Sequence, residues 1–203
     1  SPQKILETFW STLIRKPYFL PYNNRTEMVV TDMTEAKKQR FHYCPKCGGK
    51  LHYRPRGDRQ RLTCADCHYI FHENPIVGVA AIVFDEGKVL LGRRSPGATY
   101  PGLWCIPCGY VEYDEDVYDA VRREIAEETG LTIVVDKVYT VLSNFHNPEV
   151  HTVGIWFQAT VTGGELQAGD DLSEVGWFSL SQLPPLAFPT DRQVLERLAE
   201  VTG

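Results

Sequence analysis

Three glutamates, Glu124, Glu127 and Glu128, fall within the stretch Arg123-Glu-Ile-Ala-Glu-Glu-Thr-Gly130, and Glu115 precedes them. Carboxylates at i and i+4 of a helix stand roughly 5–6 Å apart at Cβ and repel by about 3 kcal/mol at an effective dielectric near 20. Something must compensate. Protonation is one answer, because crowded buried carboxylates raise each other's pKa. A hard divalent cation suits three or more acids better, since Mg²⁺ prefers oxygen ligands and readily shares its site with substrate phosphates.

A second set of residues points to different chemistry. Cys44-Pro-Lys-Cys47 and Cys64-Ala-Asp-Cys67 are two C-x-x-C pairs with sixteen residues between them. Each pair suits a tight turn that aims two thiolates at one ion, and two such turns complete a tetrahedral Zn²⁺ site. Four ligands leave no open position, so this zinc is expected to be structural. Disulfides are disfavoured because no secretory signal is seen. Cys105-Ile-Pro-Cys108 is a third C-x-x-C, but it lies in an extended entry to a loop rather than at the start of a helix, and both cysteines read as small buried residues.

The elements that must position these residues follow from periodicity. Val117, Ala120, Val121 and Ile125 predict a helix from about Asp116 to Thr129, capped by Asp114 or Asp116 and stopped by Gly130. On a wheel starting at Val117, Glu124, Glu127 and Glu128 fall at roughly 340°, 280° and 20°, on the apolar side, with Asp119, Arg122, Arg123 and Ala126 opposite. All three acids are therefore expected to point inward. Strands are predicted at Ile76 to Phe84, Lys88 to Arg93, Ile133 to Val135, Val138 to Leu142, His151 to Thr162 and Val175 to Ser179, with turns at Asp85-Glu-Gly87 and Gly163-Gly164. A last helix, Asp191 to Val201, turns Val194, Leu195 and Leu198 inward. Arg93 and Arg94, before the loop Ser95 to Gly102, are candidate diphosphate contacts. Trp104, Tyr100 and Phe145 are candidates to stack on a base, each equally suited to packing.

The 203 residues suit one medium domain with accessory parts. They divide into an arm over 1–40, where Lys4 to Arg15 has the spacing of a short amphipathic helix, a cysteine module over 41–74 and a larger domain over 75–203. The net charge of −5 argues against a general binder of nucleic acid or anionic membrane. No apolar run reaches the length of a membrane span, and a cytoplasmic setting is expected, with an organelle address left open if a leader is missing. The cysteine module differs: between 41 and 74, six Lys and Arg face three Asp and Glu. Its tip, Arg54-Pro-Arg-Gly-Asp-Arg-Gln-Arg61, could touch RNA or a substrate phosphate, but a solvated hairpin is favoured because no aromatic platform interleaves the charges.

Gly109, five residues, Glu115, seven residues, Arg123-Glu124-Ile125, Glu127-Glu128, Gly130 and Leu131 resemble the complete Nudix box at every specified position. The resemblance implies an α/β fold, a Nudix α/β/α sandwich with a mixed sheet, preceded here by a small zinc ribbon. It implies a pyrophosphohydrolase that cleaves nucleoside diphosphate derivatives with Mg²⁺ or Mn²⁺. Glu124 and Glu128 would be metal ligands, Glu127 a ligand or the base that activates water, Glu115 a further ligand through water and the Gly109 carbonyl another. Arg123 would orient a glutamate, and Glu174, ahead of Trp177, is the first candidate for an acid outside the box. A homodimer is expected. The ribbon and Leu186-Ala-Phe188 resemble the zinc-ribbon subgroup of FAD, ADP-ribose and NADH pyrophosphatases. The Ser-Gln-Pro-Trp-Pro-Phe-Pro signature of the NADH enzymes is replaced by Ser143-Asn-Phe-His-Asn-Pro148, which leaves ADP-ribose or FAD favoured over NAD(H). An RNA-cap hydrolase and a non-catalytic, nucleotide-sensing nucleic-acid binder are the alternatives. Cys108 stands where the family usually has Gly or Ala.

Overall fold

The computed structural model describes residues 39–202, which part into two compact units, one ending at Asn74 and the other beginning at Pro75. The expected helix at Lys4 to Arg15 lies outside the described residues.

In the first unit, β1 (Leu51–Arg56) and β2 (Arg59–Cys64) form an antiparallel hairpin, and β3 (Ile70–Phe71) pairs with β2. Gly57 makes the turn at φ +62°. Leu51 and Leu62 are buried with Cys44 and Cys64, and Phe71 packs against them. A core this small is marginal by itself, and the four cysteines beside it are a set that could hold a metal ion.

In the second unit, β4 (Ile76–Asp85) is the central strand. It is flanked by β5 (Lys88–Arg94) and, in parallel, by β9 (Thr152–Gly164). β8 (Leu131–Asn144) and β10 (Leu172–Ser179) complete the order β10-β5-β4-β9-β8. The short β6 (Trp104–Cys105) pairs with β5, and β7 (Cys108–Tyr110) with β4. The β4–β5 turn places Glu86 and Gly87 at φ +46° and +77°, the twisted geometry a tight hairpin needs.

β4 is buried continuously from Val79 to Phe84, so both of its faces are covered. Val79, Ala81, Val83 and Phe157 face α1 (Val117–Thr129), which buries Ala120, Val121 and Ile125 against them. The alternate residues face the other way. There Trp156 meets Asp191 in the first turn of α2 (Pro189–Thr202), whose Val194, Leu195 and Leu198 are buried as expected. Helices on both faces of a mixed sheet make the α/β/α sandwich.

Several boundaries differ from expectation. The two strands at Ile133 to Val135 and Val138 to Leu142 are one strand, β8, because register shifts at Val135/Lys137 and Val138/Thr140 absorb the break in alternation without ending the ladder. Gly163 and Gly164 pair with Thr132 and Leu131 and extend β9 rather than turning it.

Candidate active site

Asp116 caps α1 by accepting a hydrogen bond from the Tyr118 N–H, and Gly130 ends it in the left-handed conformation at φ +69°. The rotation that buries Ala120, Val121 and Ile125 also buries Glu124 and Glu128, at 8% and 1% exposure. Glu127 corrects the inward expectation, since its side chain is 53% exposed. It lies at the edge of the apolar stripe, where Arg123 holds it at 3.0 Å.

Arg123 was expected to face outward but curls over the acids. Its Nε and Nη2 donate to the two oxygens of Glu115 at 2.8 Å each, and its Nη1 donates to Glu124 at 2.8 Å and to Glu127. Nη2 also donates to the Tyr110 carbonyl at 3.0 Å. One guanidinium therefore ties the box loop to three of the four box glutamates, and it holds the Glu115 carboxyl below its ordinary range.

Gly109, on β7, leaves the space the Glu124 carboxyl occupies: a Cβ there would stand 2.0–2.2 Å from it and make it shift. The next residue back, Cys108, donates its N–H to Glu128 Oε2 at 2.7 Å. Burial raises the Glu124 carboxyl and lifts Glu128 well above the usual carboxylate range, and for Glu128 the neighbouring Cys105 and Asp171 add to the effect. The Cys108 thiol is raised by its bond to Cys105 and by burial.

Asp171 is the acid that sequence reasoning missed by name. The loop before β10 docks on the end of α1, where the Gln167 and Gly169 N–H groups donate to the carbonyls of Thr129 and Glu128 at 2.9 and 3.0 Å. A Cβ at Gly169 would stand 2.3 Å from the Glu127 carbonyl, so glycine permits the approach. The docking brings Asp171 to Glu128. One Asp171 oxygen accepts from Arg94 at 2.7 Å, while the other, Oδ1, is buried with no hydrogen-bond partner among the described residues. Glu174, the first choice from this loop, instead pairs with Arg93 at 3.4 Å in an exposed ion pair. The readable signal was the pair Asp170-Asp171 just after Gly169.

The remaining candidates have structural partners. Arg94 is buried and donates to Thr99 and Asp171 with its guanidinium over Phe188, while Arg93 also donates to the Gly102 carbonyl. Trp104 packs edge-on against Phe178 with centroids 4.7 Å apart and bridges to Leu186. Phe145 meets His151, and Tyr100 meets His146 and Phe188. Asp191, read only as a helix start, is buried and accepts from the Ile106 N–H at 2.9 Å and Trp156 Nε1 at 3.2 Å. It ties α2 to the strand entry of Gly109, and burial lifts its carboxyl to about 7.

The donor set fits a hard cation. The acids supply oxygens, two of them are buried with their charge resisted, the Gly109 cradle admits the Glu124 carboxyl, and a buried oxygen of Asp171 lacks a donor. The cysteines fit a soft one. Cys47 and Cys64 have sulfurs 3.5 Å apart, Cys44 and Cys67 3.7 Å, and all four ligand atoms lie within 4.8 Å of one another. A tetrahedron of sulfurs about 2.3 Å from zinc has edges of roughly 3.8 Å.

An α/β/α sandwich that buries two acids of a helix behind a glycine-bearing strand offers the oxygen ligands with which a divalent cation could polarise phosphate oxygens. The chain belongs to the Nudix family: the NUDIX domain model matches residues 74–198. It is 40% identical over 136 residues to the ADP-ribose pyrophosphatase of Methanocaldococcus jannaschii, covering 66% of this chain and 80% of that one. It is 31% identical over 169 residues to the NAD-capped RNA hydrolase NudC of Pseudomonas aeruginosa, covering 82% of this chain and 56% of that one. A crystal structure of a Nudix hydrolase from Nitrosomonas europaea superposes with a TM-score of 0.70 at 32% identity, covering 79% of this chain and 91% of that one.

Proposed function

We propose that the protein is a Mg²⁺- or Mn²⁺-dependent pyrophosphohydrolase that splits the P–O–P bond of a nucleoside diphosphate derivative, ADP-ribose first, into a nucleoside monophosphate and a phosphorylated remainder. The observation that carries this reading is the burial of Glu124 and Glu128 against the Gly109 cradle. Similarity to the archaeal ADP-ribose pyrophosphatase supports the choice of substrate.

Glu124, Glu128, the Gly109 carbonyl and, through water, Glu115 would hold the cation, with Asp171 as a further acid. A bound cation neutralises phosphate oxygens as charge builds up and makes a water more acidic. Glu127, at the rim, takes the proton from the attacking water as general base. Arg123 positions Glu115, Glu124 and Glu127 and offsets their mutual repulsion. Arg93, held in an exposed ion pair with Glu174, is the candidate diphosphate contact, its guanidinium free to bind a phosphate once it leaves Glu174. A homodimer and a cytoplasmic setting belong to this reading. Free cysteines agree with a reducing compartment, and among the described residues no helix is long and apolar enough to cross a membrane.

A second reading, hydrolysis of an NAD cap on RNA, is favoured by the NudC match. Incubation with Mg²⁺ and a panel of ADP-ribose, FAD, NADH, NAD⁺ and NAD-capped RNA separates them. ADP-ribose is expected to give the highest kcat/KM, a marked preference for capped RNA would install the second reading, and no turnover of any member defeats both.

A further inference from the structure

The register of the ribbon hairpin sets Arg54 opposite Arg61 and Arg56 opposite Arg59. Alternation puts these four side chains and that of His52 on one face of the hairpin. Residues directly opposite across a ladder have Cβ atoms about 4.5–5.5 Å apart, where like charges destabilise the pairing. Relief was available locally, yet none of the four arginines makes an ion pair or a side-chain hydrogen bond among the described residues. Asp58, the hairpin's acid, sits in the turn, and no ion pair joins it to these arginines among the described residues. Three of the arginines are exposed and Arg61 is partly so.

A cleft of about 380 Å³ opens in the same unit, lined by Gln39, His42, Tyr43, Lys50, Leu51 and His52. Tyr43, which bridges to Lys50, is 66% exposed. His52 belongs to both features: it lines the cleft and begins the row that continues through Arg54 and Arg56. The sequence favours a solvated hairpin over an RNA contact for want of an aromatic platform, and Tyr43, outside the arginine run, is an exposed aromatic in the same unit.

We infer that this face of the ribbon binds single-stranded nucleic acid, with phosphates on the Arg54/Arg61 and Arg56/Arg59 pairs and a base in the cleft against Tyr43. A phosphate row removes the repulsion between facing guanidiniums, and an aromatic beside a cationic track is how single strands are held without regard to sequence. A duplex keeps its bases stacked and cannot offer one to the cleft. Binding is read without turnover, so its outcome is independent of the hydrolysis proposed above.

Anisotropy of a labelled single-stranded oligoribonucleotide of about twelve nucleotides, titrated with the full zinc-loaded chain, tests this. The wild type is expected to bind the single strand more tightly than a duplex of equal length. Replacing all four arginines by Gln is expected to flatten the dependence of log affinity on log salt by about 3, at about 0.7 per lost phosphate contact. Tyr43→Ala is expected to weaken binding about tenfold with an unchanged salt slope, the signature of a lost stack. Zinc content checks that both variants keep the ribbon folded, and ADP-ribose turnover is expected to be unaltered. No binding by the wild type at low salt, equal binding by the arginine variant, or capture of phosphatidylserine vesicles in place of the oligonucleotide overturns the inference. A duplex bound as tightly as the single strand, with Tyr43→Ala silent, overturns it as well.

Discussion

The cysteine cluster and the box acids are both ligand sets, yet they converge to different degrees. The four sulfurs already lie within 4.8 Å of one another, whereas among the described residues no group of acids does so. Thiols are small and can be neutral, so four of them can stand close together at the ends of two turns. Carboxylates repel, and here a guanidinium stands among them: Arg123 pairs with Glu115, Glu124 and Glu127, while Glu128 is held apart by the Cys108 N–H. The ribbon's four thiols form a closed set of the size a tetrahedral zinc site takes, whereas the box acids are held by a cation of the chain's own, Arg123.

The largest effect should come from stripping zinc. With so few apolar residues buried in the ribbon, zinc on the four cysteines would supply most of its folding energy, on the order of 10 kcal/mol in comparable small modules. Chelation is expected to abolish amide-exchange protection over β1 and β2 while the unit from Pro75 onward keeps its protection; loss in both would erase the contrast between the sites. Glu124→Gln or Glu128→Gln comes next, weakening the hold on the cation and lowering kcat by about 10²–10⁴-fold, a few kcal/mol of the charge stabilisation a bound cation supplies, with zinc content unchanged. Turnover equal to wild type in either variant would remove the box from the chemistry.

Gly109→Ala should follow, because its methyl group would sit on the Glu124 carboxyl and displace it. A loss of about 10–100-fold in activity, with a weaker response to Mg²⁺, is expected. Wild-type Mg²⁺ dependence would mean that the cradle does not matter.

The smallest effect concerns pH. Burial raises Glu124 and Glu128, so the folded, Mg²⁺-free protein binds protons more readily than the unfolded chain. This contribution to stability is full below the ordinary carboxyl pKa and is lost as pH rises through the raised values. Asp191, lifted to about 7, acts with the same sign. The Tm of zinc-loaded, Mg²⁺-free protein should therefore fall from about pH 5 to about pH 8. Excess Mg²⁺ should flatten the slope, and Glu128→Gln should reduce it but leave the part due to Asp191. A Tm that rises over that range would contradict the burial that raises these acids.

Much of this molecule is legible in its sequence, and for local reasons. The spacing of Val117, Ala120, Val121 and Ile125 fixes α1 and so the direction of Glu124 and Glu128, because a helix repeats every few residues and carries its acids with it. Two C-x-x-C turns fix the thiol cluster in the same way. What the tertiary structure alone decided lies where distant segments meet: the docking of the Gln167 to Asp171 loop on α1, the clamp of Asp191 on Ile106, and the lapse of Glu174 into an ion pair with Arg93. Each depends on groups separated by tens of residues in the chain, which no local periodicity encodes. Glu127 shows the boundary between the two: the helix set its angle, but only the surrounding packing and Arg123 determined that this angle falls at the rim rather than inside.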